Sequence, residues 1–282
     1  MSRKAKHFKK NSPNIQKNYN PKQYKINRRV KEEKTNLTII QKILLIIFIC
    51  MFCYSAYTLI SWYIGTKRAE SKYEELAQKV MAEEINEQPD KSGNKSQGIN
   101  FDELKNINED IIGWIKIENM EINYPIVQTI NNEFYLKKDI YKEYDACGSI
   151  FMDYKNNKNF TDKNNVIYGH HIKSGIMFAD LVKIYKGKMG TDITVHIYTP
   201  TIERIYKVFS SYESEPEDYA INTGITEAQY DEFIENLANK SNIDYGISPE
   251  QSNQILTLST CDSTGKRRIL IHAKLEEVYS IK

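Results

Sequence analysis

The sequence predicts a mainly β domain with inserted helices, preceded by an N-terminal transmembrane helix. Three observations carry that prediction. Ile43 to Ile64 (ILLIIFICMFCYSAYTLISWYI) holds no charge over about 22 residues, long enough to cross a bilayer core as a helix. Beyond it, short apolar runs with strand-like alternation recur eight times, with turn residues between them. One clear helical stripe, TEAQYDEFIENLANK, interrupts these runs. Eight such strands close into a barrel or pack as a sandwich.

The elements follow in chain order. Residues 1–42 are a basic arm, of which 1–36 carry Arg3, Lys4, Lys6, Lys9, Lys10, Lys17, Lys22, Lys25, Arg28, Arg29, Lys31 and Lys34 against Glu32 and Glu33, a net of +10. The whole chain carries only +2, so the chain beyond residue 36 is net acidic, at about −8. An uncharged span of this length next to the arm argues for a topology signal with affinity for anionic lipid, not a nucleic-acid site. Residues 43–64 are the transmembrane anchor, ending in Trp62 and Tyr63 with Lys67 and Arg68 beyond. The positive-inside rule puts residues 1–42 in the cytoplasm and residues 65–282 outside the cell, as a single-pass protein of the cell membrane. The apolar run is longer than a signal-peptide core and continues into Tyr63, Ile64, Gly65, Thr66 and Lys67 where a small-x-small cleavage site should follow, which favours an uncleaved anchor.

Residues 65–100 read as an extracytoplasmic helix and linker. Over 66–87 the apolar positions Tyr73, Leu76, Val80 and Met81 lie near one helix face, and the reading expects that face to pack only weakly. QPDKSGNKSQGIN, 88–100, is the linker. Residues 101–282, about 180 residues, are enough for one core. The expected strands are WIKIE (114–118), IVQT (126–129), GSIFMD (148–153), NVIYGH (165–170), ITVHIY (193–198), ERIYKVFSSYE (203–213), QILTLST and RILIHAK. A short helix is expected near Ile176 to Ile184, and the longer one over 226–240, opened by Thr226 with Phe233, Ile234 and Leu237 inward.

The chemistry gathers at TLSTC, Thr257 to Cys261. A short loop containing Gly265 leads to RILIHAKLEEV, so the two runs read as a hairpin that returns Arg268 beside Cys261. A guanidinium beside a thiol favours the thiolate. It also stabilises the oxyanion formed when sulfur attacks a carbonyl. The competing reading is a buried cysteine and a solvated arginine, since free cysteine is commonly a small core residue. Of the five histidines, His7 lies in the arm, and His196 and His272 alternate within strands as packed or surface residues. His170 and His171 stand instead at a strand end opening into a loop, where a scaffold presents working side chains. Cysteine, histidine and arginine at strand ends together supply nucleophile, proton carrier and oxyanion donor. Cys50 and Cys53, inside the apolar helix, read as filler. Cys147 and Cys261 allow one structural disulfide, in which case Cys261 is no nucleophile. Paired Cys/His spacing for zinc is missing.

The strings NVIYGHH, TLSTC and RRILIHAKL, in that order behind an N-terminal anchor, resemble the sortase family of Gram-positive surface transpeptidases. CGSIFMDY, MFADL and the helix at 226–240 are most similar to class B. The resemblance covers roughly Phe101 to the end. It implies an eight-stranded sortase-type β-barrel with the histidine after Gly in YGH, His170, the Cys of TLxTC, Cys261, and the Arg opening the next strand, Arg268, as catalytic residues, with the adjacent Arg267, on the opposite strand face, as the lesser alternative for the arginine. The loop between Cys261 and Arg268 is short for class B. The implied reaction cleaves a C-terminal sorting signal of surface proteins, NPxTN-like or related, after Thr. It passes through a thioacyl intermediate and joins the protein to an amine of a peptidoglycan precursor. No cofactor and no metal are implied. The implied peptide groove uses Tyr168, Ser259, Thr260 and Tyr219, with Asn132 and Leu136 of NNEFYL. Ala220, where class B members have a bulkier apolar residue, implies a wider subsite. Two other functions remain compatible with these residues: a cysteine endopeptidase or hydrolase on the same scaffold, and a non-catalytic anchored binding module with Cys147 and Cys261 bridged.

Overall fold

A computed structural model describes residues 37–81, 98–249, 254–261 and 266–281, with Cys261 described by its backbone. The basic arm over 1–36, most of the linker and the turn at 262–265 lie outside the described residues. The chain forms two compact units, Met1–Tyr54 and Ser55–Lys282. In the first, the described residues are the opening turns of helix α1 (Ile39–Val80), with every side chain from 37 to 54 exposed. That helix is long and apolar enough to cross a membrane, and the most apolar stretch has none of its residues buried.

The second unit is a closed barrel of eight strands among the described residues. They are β1 (Ile111–Ile117), β2 (Asn123–Val127), β3 (Ile150–Met152), β4 (Asn164–Tyr168), β5 (Thr194–Tyr198), β6 (Ile202–Ser214), β7 (Ile255–Cys261) and β8 (Arg268–Ser280). The order around the barrel is β1-β2-β3-β4-β7-β8-β6-β5. The pairs β2·β3 and β4·β7 are parallel and the rest antiparallel. Alternation sends Leu256, Leu258, Ile269, Ile271 and Ala273 into the interior with Ile115 and Ile126. It sends Ile255 and Leu270 outward, under helix α4 (Glu227–Asn239). That helix buries Tyr230, Phe233, Ile234 and Leu237 as the apolar spacing predicts, and Gln229 Oε1 accepts from the N–H of Thr226 at its entry. Closure removes sheet edges, and each strand then needs one apolar face inward.

Three helices differ from the sequence reading. Helix α2 (Phe101–Ile107), which the sequence reading did not expect, precedes β1, with Asn100 Oδ1 accepting from the N–H of Glu103 at its start. The helix after the apolar span is not weakly packed. Thr66, Ala69, Tyr73, Leu76, Ala77 and Val80 are all buried, because the three- and four-residue spacing lines them on one face against the barrel unit. Lys72 pairs with the buried carboxylate of Asp139, and Tyr73 meets Ser149 Oγ at 3.3 Å. The helix expected at 176–184 contracts to α3 (Leu181–Tyr185), because the backbone ahead of it is bonded elsewhere. Met177 bridges to His171, and the N–H of Phe178 donates to the carbonyl of His170.

His272 is fully buried on the outer face of β8, packed on Tyr212 and Phe209. The hydroxyl of Thr257 donates to Asn164 Oδ1 and so accepts from His272 Nδ1, at 3.0 Å. Burial holds the imidazole down, to about 3; nearby Asp218 acts against this and Lys240 with it. The folded protein therefore keeps the ring neutral, while the unfolded chain takes up a proton below about pH 6.5. Stability from this group is complete above that pH and drains as pH falls towards 3. At pH 4.5 the loss is about 2–3 kcal/mol. A His272→Asn variant should show a flatter fall in urea midpoint between pH 7 and 4.5 than the parent; parallel falls would contradict the assignment.

Candidate active site

The site is built where β4, β7 and β8 end together. β7 and β8 pair so that Cys261 stands opposite Arg268, and β4 runs parallel to β7 with Tyr168 opposite Ser259. The N–H of Gly169 continues that ladder by donating to Ser259 O at 3.1 Å. Period-two alternation places positions 168, 259, 261 and 268 on the outer face of the barrel wall. His170 follows two residues beyond Tyr168, level with position 261. The three positions expected to act together thus reach one rim from three neighbouring strands.

His170 is held from two sides. Its Nε2 lies 2.8 Å from the carbonyl oxygen of Leu136. A carbonyl only accepts, so Nε2 carries a proton and Nδ1 is the nitrogen left to exchange one. Leu136 ends a 3₁₀ turn, Phe134–Leu136. Behind the ring, Gly148 has φ +62°, and a Cβ there would sit 2.7 Å from the carbonyl of Tyr135 and 3.1 Å from His170 Cδ2. Gly169 is required by close approach, since a Cβ would fall 2.4 Å from Ile150 and 2.7 Å from Phe178. His171 instead takes part in the bridge to Met177.

Arg268 is half-buried. Its Nε donates to the carbonyl of Pro216 at 3.1 Å, and its guanidinium carbon lies 5.8 Å from the Tyr168 ring centroid. Arg267 points into an ion pair with Glu213, 3.0 Å, and Glu215, 2.7 Å, on the exposed side. Strand alternation separates the two arginines and leaves Arg268 on the wall that carries position 261.

Among the expected groove residues, Tyr168 is largely buried, with its hydroxyl donating to Asp153 Oδ2 at 3.1 Å. Burial, with the Asp153 carboxylate beside it, holds that phenol well above its usual range. Asn132 donates to the same oxygen at 2.8 Å. Ser259 and Thr260 are buried, and neither hydroxyl has a partner among the described residues. Thr260 belongs to the inner face by alternation, so register does not bring it to the rim with Ser259. Tyr219 is half exposed, edge-on to Phe233, and Leu136 is 36% exposed. Ala220 is buried in the small core under α4, so its methyl does not widen an open subsite. Asp153 itself, Gly148 and the Leu136 and Pro216 carbonyls were not singled out from sequence. Of these only Asp153 leaves a trace there, as an acid that ends an apolar strand run.

Cys147 is a free thiol, 2% exposed. Burial first, and Asp145 second, push it up to about 12. It is neither bridged nor reactive at neutral pH, and the bridged-module reading loses its disulfide. Among the described residues no group of His, Cys, Asp and Glu could hold a metal ion.

A family model described as the sortase domain matches residues 115–276. Sortase B of Staphylococcus aureus is 32% identical over 250 residues, covering 87% of this chain and 98% of that protein. The crystal structure of sortase B from B. anthracis in complex with AAEK1 superposes with a TM-score of 0.64 at 31% identity, covering 76% of this chain and 99% of that one. The Staphylococcus aureus sortase B–substrate complex superposes with a TM-score of 0.64 at 28% identity, covering 76% and 99%. The match spans the barrel from β1 into β8, including the strand ends that carry His170, Cys261 and Arg268. On that footing the chain belongs to the sortase family of transpeptidases, in its class B branch.

Proposed function

We propose that this chain is a membrane-anchored cysteine transpeptidase. It cleaves the C-terminal sorting signal of surface proteins after Thr and joins the new carboxyl to an amine of the cell wall. The observation that carries this reading is the backbone register of Cys261 with Arg268, beside the β4 end that bears His170. The Cys261 thiolate attacks the Thr carbonyl, and the electron pair moves onto oxygen. Arg268 and backbone N–H groups stabilise that oxyanion. His170, protonated at Nδ1 as well as Nε2, gives the Nδ1 proton to the leaving amine as the C–N bond breaks. An incoming amine then loses its proton to the same nitrogen and displaces sulfur. A substrate complex exists for the Staphylococcus aureus relative; by likeness, an extended NPxT-type peptide lies here along Tyr168, Ser259, Tyr219, Asn132 and Leu136, with Thr260 left out because it belongs to the inner face.

The exposed apolar helix supports a single-pass anchor over 43–64, with the basic arm cytoplasmic and the barrel outside. The acceptor is a peptidoglycan-precursor amine, and the basic arm meets anionic lipid.

Incubation with NPxTx, SPxTx and LPxTx peptides, with and without an added amine, tests the function by mass spectrometry. Amine-exchanged products confirm transpeptidation. Cleavage that yields only the free acid, whatever amine is added, makes the chain a hydrolase. Arg268→Ala should lower kcat/KM about 100- to 1000-fold, the scale of one oxyanion donor. Arg267→Ala should stay within about twofold, because its exposed pair with Glu213 and Glu215 contributes little. The reverse ranking would move the oxyanion role to Arg267.

A further inference from the structure

We infer that Asp153, a buried carboxylate with no part in acyl transfer, is a positioning residue that fixes which hydrogen-bonding atoms Asn132 and Tyr168 present to the peptide. This rests on the reading above that those two residues line the groove. Asp153 follows directly on β3 and is 6% exposed. Its own backbone is pinned: its N–H donates to Val166 O at 2.9 Å, and its carbonyl accepts from Gln128 Nε2 at 2.8 Å. Oδ1 accepts from the N–H of Lys155 at 2.9 Å. Oδ2 accepts from both Asn132 Nδ2, at 2.8 Å, and the Tyr168 hydroxyl, at 3.1 Å.

The consequence is a fixed polarity. Asn132 Oδ1 accepts from the N–H of Tyr154 at 3.0 Å, while its Nδ2 donates to the carboxylate. Turning the amide over would set donor against donor at Tyr154 and oxygen against oxygen at Asp153. Asn132 therefore has one remaining amide hydrogen to offer, a donor for a peptide carbonyl. Tyr168 has committed its only hydrogen to Asp153, so its oxygen faces any other group as an acceptor. Its ring is held against Phe151, centroids 5.3 Å apart, with the Arg268 guanidinium over it. One carboxylate thus sets the donor on the loop after β2 and the acceptor on β4 for an extended peptide. A cavity of about 350 Å³ bounded by Asp153, Lys155, Ile221, Asn222, Thr223 and Gly224 adjoins it, with room for a substrate side chain.

An exchange of the two side chains separates this role from a structural one. In the double variant Asn132→Asp/Asp153→Asn, the amide at 153 donates to the carboxylate at 132, and the Tyr154 and Lys155 N–H groups keep acceptors. The internal contacts are kept in number, with Tyr168 now accepting from the second amide hydrogen at 153, but position 132 offers the peptide only acceptors and Tyr168 has its hydrogen free, so the polarity of both is reversed. The chain with its apolar helix, in detergent, is assayed for peptide cleavage and thermal unfolding. Asp153→Asn is expected to lower Tm and raise peptide KM about tenfold, with kcat within about twofold. The exchanged pair should recover Tm while KM stays raised, and it carries the test if the single variant does not fold. Recovery of both Tm and KM in the exchanged pair overturns the proposal. Asn132→Ala with the parent's KM removes the groove reading, and the proposal with it. A raised KM in Asn132→Ala beside an unchanged KM in Asp153→Asn overturns the proposal alone.

Discussion

Replacing Cys261 with alanine should abolish turnover, by about 10⁴-fold or more, while the barrel stays folded. The size follows from the chemistry: without sulfur there is no covalent intermediate, and the remaining donors can only hold a peptide that nothing attacks. The folding half follows from the register. Cys261 is the last residue of β7, and its pairing with Arg268 is made by the backbone, which alanine keeps. The interior side of that strand is filled by Leu256 and Leu258 instead. Circular dichroism and Tm near those of the parent, with no cleaved peptide after overnight incubation, are the expected readings. Measurable cleavage by the alanine variant at a parent-like rate would take the nucleophile role away from this residue.

The second large effect separates adjacent histidines. His170→Ala should cost about 10²- to 10⁴-fold in kcat, the range for a lost general acid, and His171→Ala less than about tenfold. The structural difference between them is orientation. His170 has its Nε2 on the Leu136 carbonyl and its Nδ1 unassigned, which is what a proton carrier needs. His171 sits in a backbone bridge with Met177 and starts the chain away from the rim. Steady-state rates of the two variants on one peptide decide it, and a larger loss at His171 would mean the other ring moves the proton.

Much of this was legible in the sequence because it rests on local pattern. Alternation in QILTLST and RILIHAK fixes which residues face inward, and a short hairpin loop forces Cys261 and Arg268 into register. The strand ends were less legible. β8 runs on to Ser280 where the apolar pattern stops near Lys274, because β6 offers it a backbone partner as far as Ile202. The packed face of α1 was visible as Tyr73, Leu76 and Val80, but not the surface it meets. The cradle of His170 was hidden for a different reason. The Leu136 carbonyl is a backbone atom 34 residues away, and no side-chain pattern announces a backbone acceptor. Asp153 reads in sequence only as the acid that ends the strand run GSIFMD; its Oδ1 bonds the N–H of Lys155, and the approach of Asn132 and Tyr168 gives its Oδ2 a task that no local pattern shows.

The measurement closest to the central claim is an intact-mass experiment on the enzyme itself. The protein is mixed with a sorting-signal peptide, quenched in acid within the first turnovers and digested. The account predicts an added mass equal to the peptide's fragment up to Thr, mapped to Cys261, discharged by an added amine and missing in Cys261→Ala. Cleaved peptide with no acylated enzyme at any quench time, or an acyl group mapped to Cys147, would contradict it.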